Sequence, residues 1–266
     1  MEGVIAVGVS SERATIVANE CVADGLFVMT VQAPNLAAQV QPGQFAHVRI
    51  PGMDDHILRR PFSIYASDAA AGTVDILYQV VGFGTAHLAK LTHGAKLDAI
   101  GPIGFGWSIP DGAASALVVA GGVGAAPLFM LTQRLAAQGV DTIAVLGAQT
   151  AGSLVCRERY ESVLGDKRMR CSTDDGSLGF HGFATAVAER VLAERACDIV
   201  YTCGPEPLMR GVAAAAAAAG SACQVSLERR MACGIGACLS CVVETTGGKK
   251  RACVDGPVFD AVEVVW

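Results

Sequence analysis

Ala116-Leu117-Val118-Val119-Ala120-Gly121-Gly122-Val123-Gly124-Ala125-Ala126-Pro127 joins an unbroken apolar run to a glycine-rich turn and then a proline. An apolar run of this kind suits a strand covered on both faces. Proline is well placed in the first turn of a helix. The reading is therefore strand, turn, helix. Glycines at such a turn let a diphosphate approach the backbone at a helix N-terminus. The full G-x-G-x-x-G pattern is absent, so an ordinary tight turn remains open on these residues alone. The wider stretch from Ala113 to Leu131 carries no charge over 19 residues. That is long enough for a membrane span. Its glycines and Pro127 favour the strand–turn–helix reading over a membrane helix.

Downstream the alternation continues. Helices are expected at 127–138, 157–164, 184–195 and 207–220, with strands at 142–146, 170–172 and 199–203. This is the rhythm of a doubly wound, parallel α/β domain. The alanine run at 213–219 reads as helix. Cys203-Gly204-Pro205 ends one strand, and strand C-terminal ends are where such sheets bind ligands. A packed core thiol is the other reading of Cys203. Asp174 and Asp175 follow the third strand. Acidic groups there repel a 2′-phosphate, so NAD(H) is expected over NADP(H).

Upstream, from 11 to about 101, short β-rich runs alternate with turns at Asp24-Gly25, Pro42-Gly43 and Ala71-Gly72. The runs at 13–22, Leu26–Gln32, 44–50 and 73–80 suggest a small antiparallel barrel. Residues 85–91 are read as a short helix. Leu58-Arg59-Arg60-Pro61-Phe62-Ser63 falls on a strand, where an arginine beside a hydroxyl can grip a diphosphate. Gly84-Thr85 opens the short helix and offers an anion site. An exposed arginine pair before an ordinary proline turn is the alternative.

The last forty-odd residues break the pattern. Cys233, Cys238, Cys241 and Cys253 are spaced x4, x2 and x11. The first three match the plant-type [2Fe-2S] spacing, with a fourth cysteine farther on. Gly234, Gly236 and Ala237 leave backbone N–H groups free to point at sulfurs. Structural zinc more often shows paired C-x2-C knuckles, and only one such pair exists here. Two disulfides would need an oxidising compartment. Cys21, Cys156, Cys171, Cys197 and Cys223 are read as core or surface fillers.

The 266 residues, 52% hydrophobic and 17% charged, suit two modest domains with an appendage. The expected division is 1–105, a flavin-binding barrel; 112–224, a nucleotide-binding α/β domain; and 225–266, a cluster domain. The net charge of −5 with scattered basic residues argues against nucleic acid or an anionic membrane as partner. The segment from Met1 to Ser10 has no cationic residue and is broken by Gly3 and Gly8, unlike a secretory signal. With ten cysteines in all, a reduced cytoplasm is expected.

Together these parts resemble the ferredoxin-reductase-like flavoproteins. More narrowly, they resemble the electron-transfer subunits of type B, NAD-dependent dihydroorotate dehydrogenases. The markers are Arg60-Pro61-Phe62-Ser63, Gly84-Thr85, Gly121-Gly122-Val123-Gly124, Thr173-Asp174-Asp175-Gly176-Ser177 and Cys203-Gly204-Pro205. Most specific are the blocks from Glu228 to Cys238 and from Arg251 to Pro257. The resemblance implies that Arg60, Pro61, Phe62, Ser63, Leu77, Tyr78, Gln79, Gly84 and Thr85 contact FAD. It implies that Gly121, Gly122, Gly124, Asp174, Cys203, Gly204 and Pro205 serve NAD. The four crowded cysteines would hold the [2Fe-2S] cluster. A separate FMN-containing catalytic subunit would oxidise dihydroorotate to orotate in pyrimidine synthesis, in a heterotetramer of two of each chain. Phe62 departs from the tyrosine or aliphatic residue frequent in related reductases. Trp266 follows the cluster segment and is given no flavin-shielding role.

His47, His56, His87, His93 and His181 are isolated, and no residue of the chain is expected to act as acid, base or nucleophile. The cofactors would carry the chemistry. Two alternatives stay open. One is a flavin subunit of a ferredoxin–NADP oxidoreductase, sulfide dehydrogenase or hydrogenase complex. The other is a non-catalytic redox sensor.

Overall fold

The computed structural model describes residues 8–53 and 55–266. Most of the N-terminal segment that reads against a secretory signal lies outside the described residues. The chain divides into two units. The first runs to Gly106 and takes up Glu228–Val258; the second is Trp107–Leu227 with Phe259–Trp266.

The first unit begins with β1 (Ser10–Ala23), β2 (Leu26–Gln32), α1 (Pro34–Gln39), β3 (Phe45–Arg49), β4 (Arg60–Ser63), β5 (Ala66–Asp68), β6 (Thr73–Gln79), α2 (Phe83–Leu88) and β7 (Lys96–Ile103). The sheet order is β4-β3-β7-β1-β2-β6-β5. Every pairing is antiparallel. Closure happens between β4 and β5. Ile64 N donates to Gln44 O, just ahead of β3, at 3.2 Å, and the next residue, Tyr65, donates through N to Asp75 O on β6 at 2.8 Å. One continuous segment thus joins both edges of the sheet, and the sheet wraps into a barrel that leaves few open edges. Ile16, Met29, Ile76 and Ile103 fill the interior, each contributing about 1.5–3 kcal/mol by its burial.

Helix α1 has no local cap in the sequence. Its N-terminal amides at Asn35 and Leu36 are instead met by the Glu12 carboxylate from β1, at 3.1 and 3.0 Å. A carboxylate at a helix start satisfies orphan donors wherever it comes from in the chain. Helix α2 starts at Phe83, two residues before the expected start, because Thr85 Oγ1 accepts from the amides of Val81 and Gly82 and closes the turn ahead of it.

The second unit carries β8 (Ser115–Gly121), α3 (Ala125–Ala137), β9 (Asp141–Ala148), α4 (Arg157–Leu164), β10 (Met169–Thr173), β11 (Phe180–His181), α5 (Ala184–Glu194), β12 (Ile199–Cys203), α6 (Glu206–Ala218) and β13 (Ala222–Ser226). Strands β8 to β13 pair in parallel. The uncharged stretch 113–131 becomes β8, a 3-10 turn at Gly122–Gly124 and α3. Leu117, Val118 and Val119 are fully buried, as a strand covered on both faces requires. Among the described residues no helix is long and apolar enough to cross a membrane.

The C-terminal residues divide differently from the expected grouping 225–266. The hairpin of β14 (Val242–Thr245) and β15 (Gly248–Arg251) stays with the first unit. Strand β16 (Val258–Asp260) lies beside β13 in the sheet order β11-β10-β9-β8-β12-β13-β16. The tail 259–266 therefore belongs to the α/β unit. Sheet pairing, which spacing does not reveal, draws it there.

Candidate functional site

On β4 the residue pairs are His47↔Pro61 and Val48↔Arg60 across from β3. The two arginines ahead of Pro61 have separate fates. Arg59 forks onto Asp98 of β7, with Nη2 to Oδ2 at 2.9 Å and Nη1 to Oδ1 at 3.1 Å. The Arg59 hydrogen bonds hold the Asp98 carboxyl below its ordinary range, against the opposing effect of burial. Arg60 instead donates to the Leu58 carbonyl and lies over α2. A Cβ at Gly84 would stand 2.9 Å from Arg60 Nε. Thus Arg60 and Gly84, distant in sequence, meet, and the absent side chain at 84 makes room for the guanidinium. Thr85 spends its hydroxyl on the turn, so its backbone is what remains for a ligand.

Phe62 and Tyr78 turn into the core. Their rings meet edge-on at 5.8 Å, and Phe62 is 8% exposed. Tyr78 donates to Asn19 Oδ1 at 3.0 Å, and burial pushes its hydroxyl up to about 12. Leu77 is buried and Gln79 exposed. Pro61 and Ser63, half-buried, point to the other face of the strand. An exposed Phe83 ring stacked on His56 at 4.6 Å flanks Gly84; neither residue carries a signal in the sequence.

The cysteines form two pairs. Strands β14 and β15 make a hairpin with Cys241 and Cys253 at its open end, and Ala252 N donates to Cys241 O at 3.0 Å. The hairpin converts a separation of twelve residues into an Sγ–Sγ distance of 3.3 Å. Both thiols are buried. Burial, and the neighbouring Cys241, push Cys253 up to about 12. The other pair sits in the irregular loop before the hairpin. Cys233 Sγ accepts from the amides of Ile235 at 3.5 Å and Cys238 at 3.4 Å. Burial pushes the Cys233 thiol up, but these amides and the Cys238 side chain outweigh it and bring it down to about 7. Amides aimed at a sulfur favour the thiolate, the form that binds metal.

A two-iron cluster takes two terminal thiolates on each iron. The donors here stand two and two, from one loop and one hairpin base. Among the described residues no three ligating side chains close on a single point, whereas a tetrahedral zinc needs four. The donor set fits the two-iron group. Arg251 ties the parts together: it donates to Asp255 through Nε at 3.0 Å and to Gly236 O through Nη1 at 3.3 Å.

His47, on β3, is fully buried beneath this loop. A Cβ at Gly234, where φ is +70°, would stand 2.6 Å from His47 Nδ1. Burial lowers the pKa of the ring, and Arg59 and Arg60 add to that, while backbone acceptors at Arg59 and Cys233 oppose it. Those acceptors face the ring without closing to hydrogen bonds, and neither ring nitrogen has a partner. The sequence marked His47 only as an isolated histidine.

In the α/β unit two loops cross. The central strand β8 has β9 on one side and β12 on the other, so the chain switches direction between β8 and β12. Ligands bind at such switch points, outside the strand C-termini. There Gly124 and Gly204 come together. A Cβ on Gly124 would lie 2.4 Å from Cys203 O, and one on Gly204 would lie 3.0 Å from the Gly121 backbone. A Cβ on Gly121 would lie 3.0 Å from Pro205 Cδ, whereas one on Gly122 would meet nothing. Cys203 Sγ is 3.6 Å from Ser226 O. At the end of β10, Asp175 accepts from Ser177 N at 3.0 Å and Oγ at 2.6 Å and so builds the turn. The Asp174 side chain stands exposed beside it.

The family model described as the iron–sulfur cluster binding domain of dihydroorotate dehydrogenase B matches residues 228–265. The oxidoreductase FAD-binding domain model matches residues 14–106. The protein named dihydroorotate dehydrogenase B (NAD(+)), electron transfer subunit, of Desulforamulus reducens is 38% identical over 257 residues, covering 95% of this chain and 97% of that one. Its namesake in Bacillus caldolyticus is 37% identical over 262 residues, covering 97% and 99%. Among solved structures, an NADH-dependent reduced ferredoxin–NADP oxidoreductase, described for flavin-based electron bifurcation, superposes with a TM-score of 0.86 at 30% identity, over 95% of this chain and 89% of that one. A ferredoxin reductase of carbazole 1,9a-dioxygenase, at 19% identity and a TM-score of 0.69 over 81% and 68%, shares the fold. This chain is an oxidoreductase with an FAD-binding and an iron–sulfur domain, and it belongs to the family of dihydroorotate dehydrogenase B (NAD(+)) electron-transfer subunits.

Proposed function

We propose that the chain passes electrons from a partner subunit that oxidises dihydroorotate to NAD⁺, by way of a [2Fe-2S] cluster and FAD, in pyrimidine synthesis. The observation that carries this reading is the two-and-two set of thiols at Cys233, Cys238, Cys241 and Cys253, folded on the same unit as the Arg60–Ser63 strand. When bound, FAD exchanges hydride with nicotinamide and single electrons with a cluster.

The chain's own residues bind and orient. The four cysteines hold iron, with the Ile235 and Cys238 amides favouring the Cys233 thiolate. Arg60 over Gly84 grips the FAD diphosphate, and Pro61, Ser63 and the backbones of β4 and β6 face the rest of the flavin. Gly121, Gly122, Gly124, Cys203, Gly204 and Pro205 admit the nicotinamide nucleotide close to backbone, and Asp174 disfavours a 2′-phosphate. The working division is 1–105, 112–224 and 225–266. The partner is an FMN-containing catalytic subunit, in a cytoplasmic heterotetramer of two of each chain.

A ferredoxin–NADP oxidoreductase subunit is the second reading, favoured by the 0.86 superposition. The higher identity of 38% to the dihydroorotate relatives supports the first.

The test is anaerobic purification with and without the catalytic subunit. Expected are about two irons and one FAD per chain, NADH-dependent dye reduction by the chain alone, and NAD⁺-coupled dihydroorotate oxidation only in the complex. Dihydroorotate turnover by this chain alone, or zinc in place of iron, would overturn it.

A further inference from the structure

His47 is the one residue of β3 that meets both proposed cofactor sites of the first unit. Its cross-strand partner is Pro61 of the flavin strand. Its ring stands under Gly234, the residue after the proposed ligand Cys233. It is fully buried, and neither ring nitrogen has a partner. A buried polar ring left unpaired is costly and calls for a reason. An aliphatic side chain would fill the same interior space between strands without that cost.

We propose that His47 is a positioning residue for electron passage: it seats the Cys233–Gly234 end of the ligand loop on the flavin strand, and its ring N–H keeps that loop in register with β3. The placement accounts for glycine at 234, since the ring occupies the space a Cβ would need. It also accounts for a polar ring in an apolar setting, because the Arg59 and Cys233 backbones that face it supply acceptors. Groups behind a metal ligand orient that ligand and tune the metal, typically with about 10–100-fold effects on affinity or activity.

This inference rests on the cluster reading, so the experiment begins with iron and EPR on the wild-type chain carrying FAD. Absence of iron there defeats the proposed function itself. With the cluster present, H47L and H47Q are compared with wild type. Leu keeps bulk without a donor; Gln keeps an N–H. Three readouts are followed: iron retained against a chelator, g-values of the reduced cluster, and the rate of cluster reduction against flavin reduction after NADH mixing. In H47L, iron loss should quicken and cluster reduction should slow by about tenfold, with shifted g-values and FAD retained. H47Q should recover most of both changes. H47L matching wild type, or H47L and H47Q behaving alike, would overturn the proposal. Loss of FAD together with iron in both variants would make His47 a barrel-core residue and overturn it as well.

Discussion

In the cysteine loop the groups offered to a ligand are side chains, and the backbone bends to deliver them. In the crossing of Gly121–Gly124 with Cys203–Pro205 side chains are missing, and the backbones themselves meet. The loop tolerates exposure: Cys238 is open to solvent and Leu239 takes a φ of 59°. The crossing tolerates no added atom, since a single Cβ at Gly124 would strike the Cys203 carbonyl. The first region is specified by donor chemistry, the second by excluded volume. A substitution should therefore remove a cofactor in the first and shift packing in the second.

The sharpest break of that comparison is C253S. The hairpin would still bring position 253 to Cys241, but one thiolate would be lost. Iron and the EPR signal of the reduced cluster should disappear while bound FAD, read by its absorbance, stays. FAD lost along with iron would mean that the loop and the barrel do not separate as described.

The two arginines come next. R60A should weaken FAD binding by about 1.5–3 kcal/mol, roughly ten- to a hundredfold in Kd by flavin fluorescence titration. R59A should leave FAD affinity closer to wild type, since Arg59 is spent on Asp98. Equal losses would show that the pair acts as one.

G124A should destabilise the protein by about 1–3 kcal/mol in thermal or denaturant melts and raise the KM for NADH, because the new methyl meets backbone that cannot swing aside. G122A meets open space, and its cost is the left-handed φ of +55°, about 1–2 kcal/mol. A normal KM in G122A beside a raised one in G124A would separate conformational strain from blocked approach.

The smallest effect is electrostatic. Asp98 titrates below its ordinary 3.8 in the folded chain. A depressed value contributes stability at pH above the unfolded value and loses it as pH falls through the folded one. Melts of wild type and D98N should differ above about pH 4 and converge below it. The carboxylate is 40% exposed, so screening keeps the difference to about 1 kcal/mol or less.

Much of the architecture is legible from local pattern. Strand β2, helix α4 and strand β12 have the bounds that periodicity and turn residues predict. The cysteine spacing identifies its chemistry because few uses of four thiols share it. Harder to read are elements whose stabilising partners are remote. Helix α1 depends on Glu12 from another strand, and β16 exists because β13 is there to pair with it. Position 62 looks like a flavin contact in the motif, yet its ring goes inward because β4 presents alternate residues to opposite faces.

By itself the sequence determined the alternation of elements, the glycine turn on β8 and the four candidate ligands. These rest on periodicity, conformational preference and donor type, which act over a few residues. Tertiary structure alone decided that Arg59 is spent on Asp98 while Arg60 lies over Gly84. It alone brought Cys241 to Cys253, crossed Gly124 with Cys203 and placed His47 under Gly234. Those outcomes depend on strand register and on which surfaces close-pack, and both are settled only when segments distant in the chain share one interior.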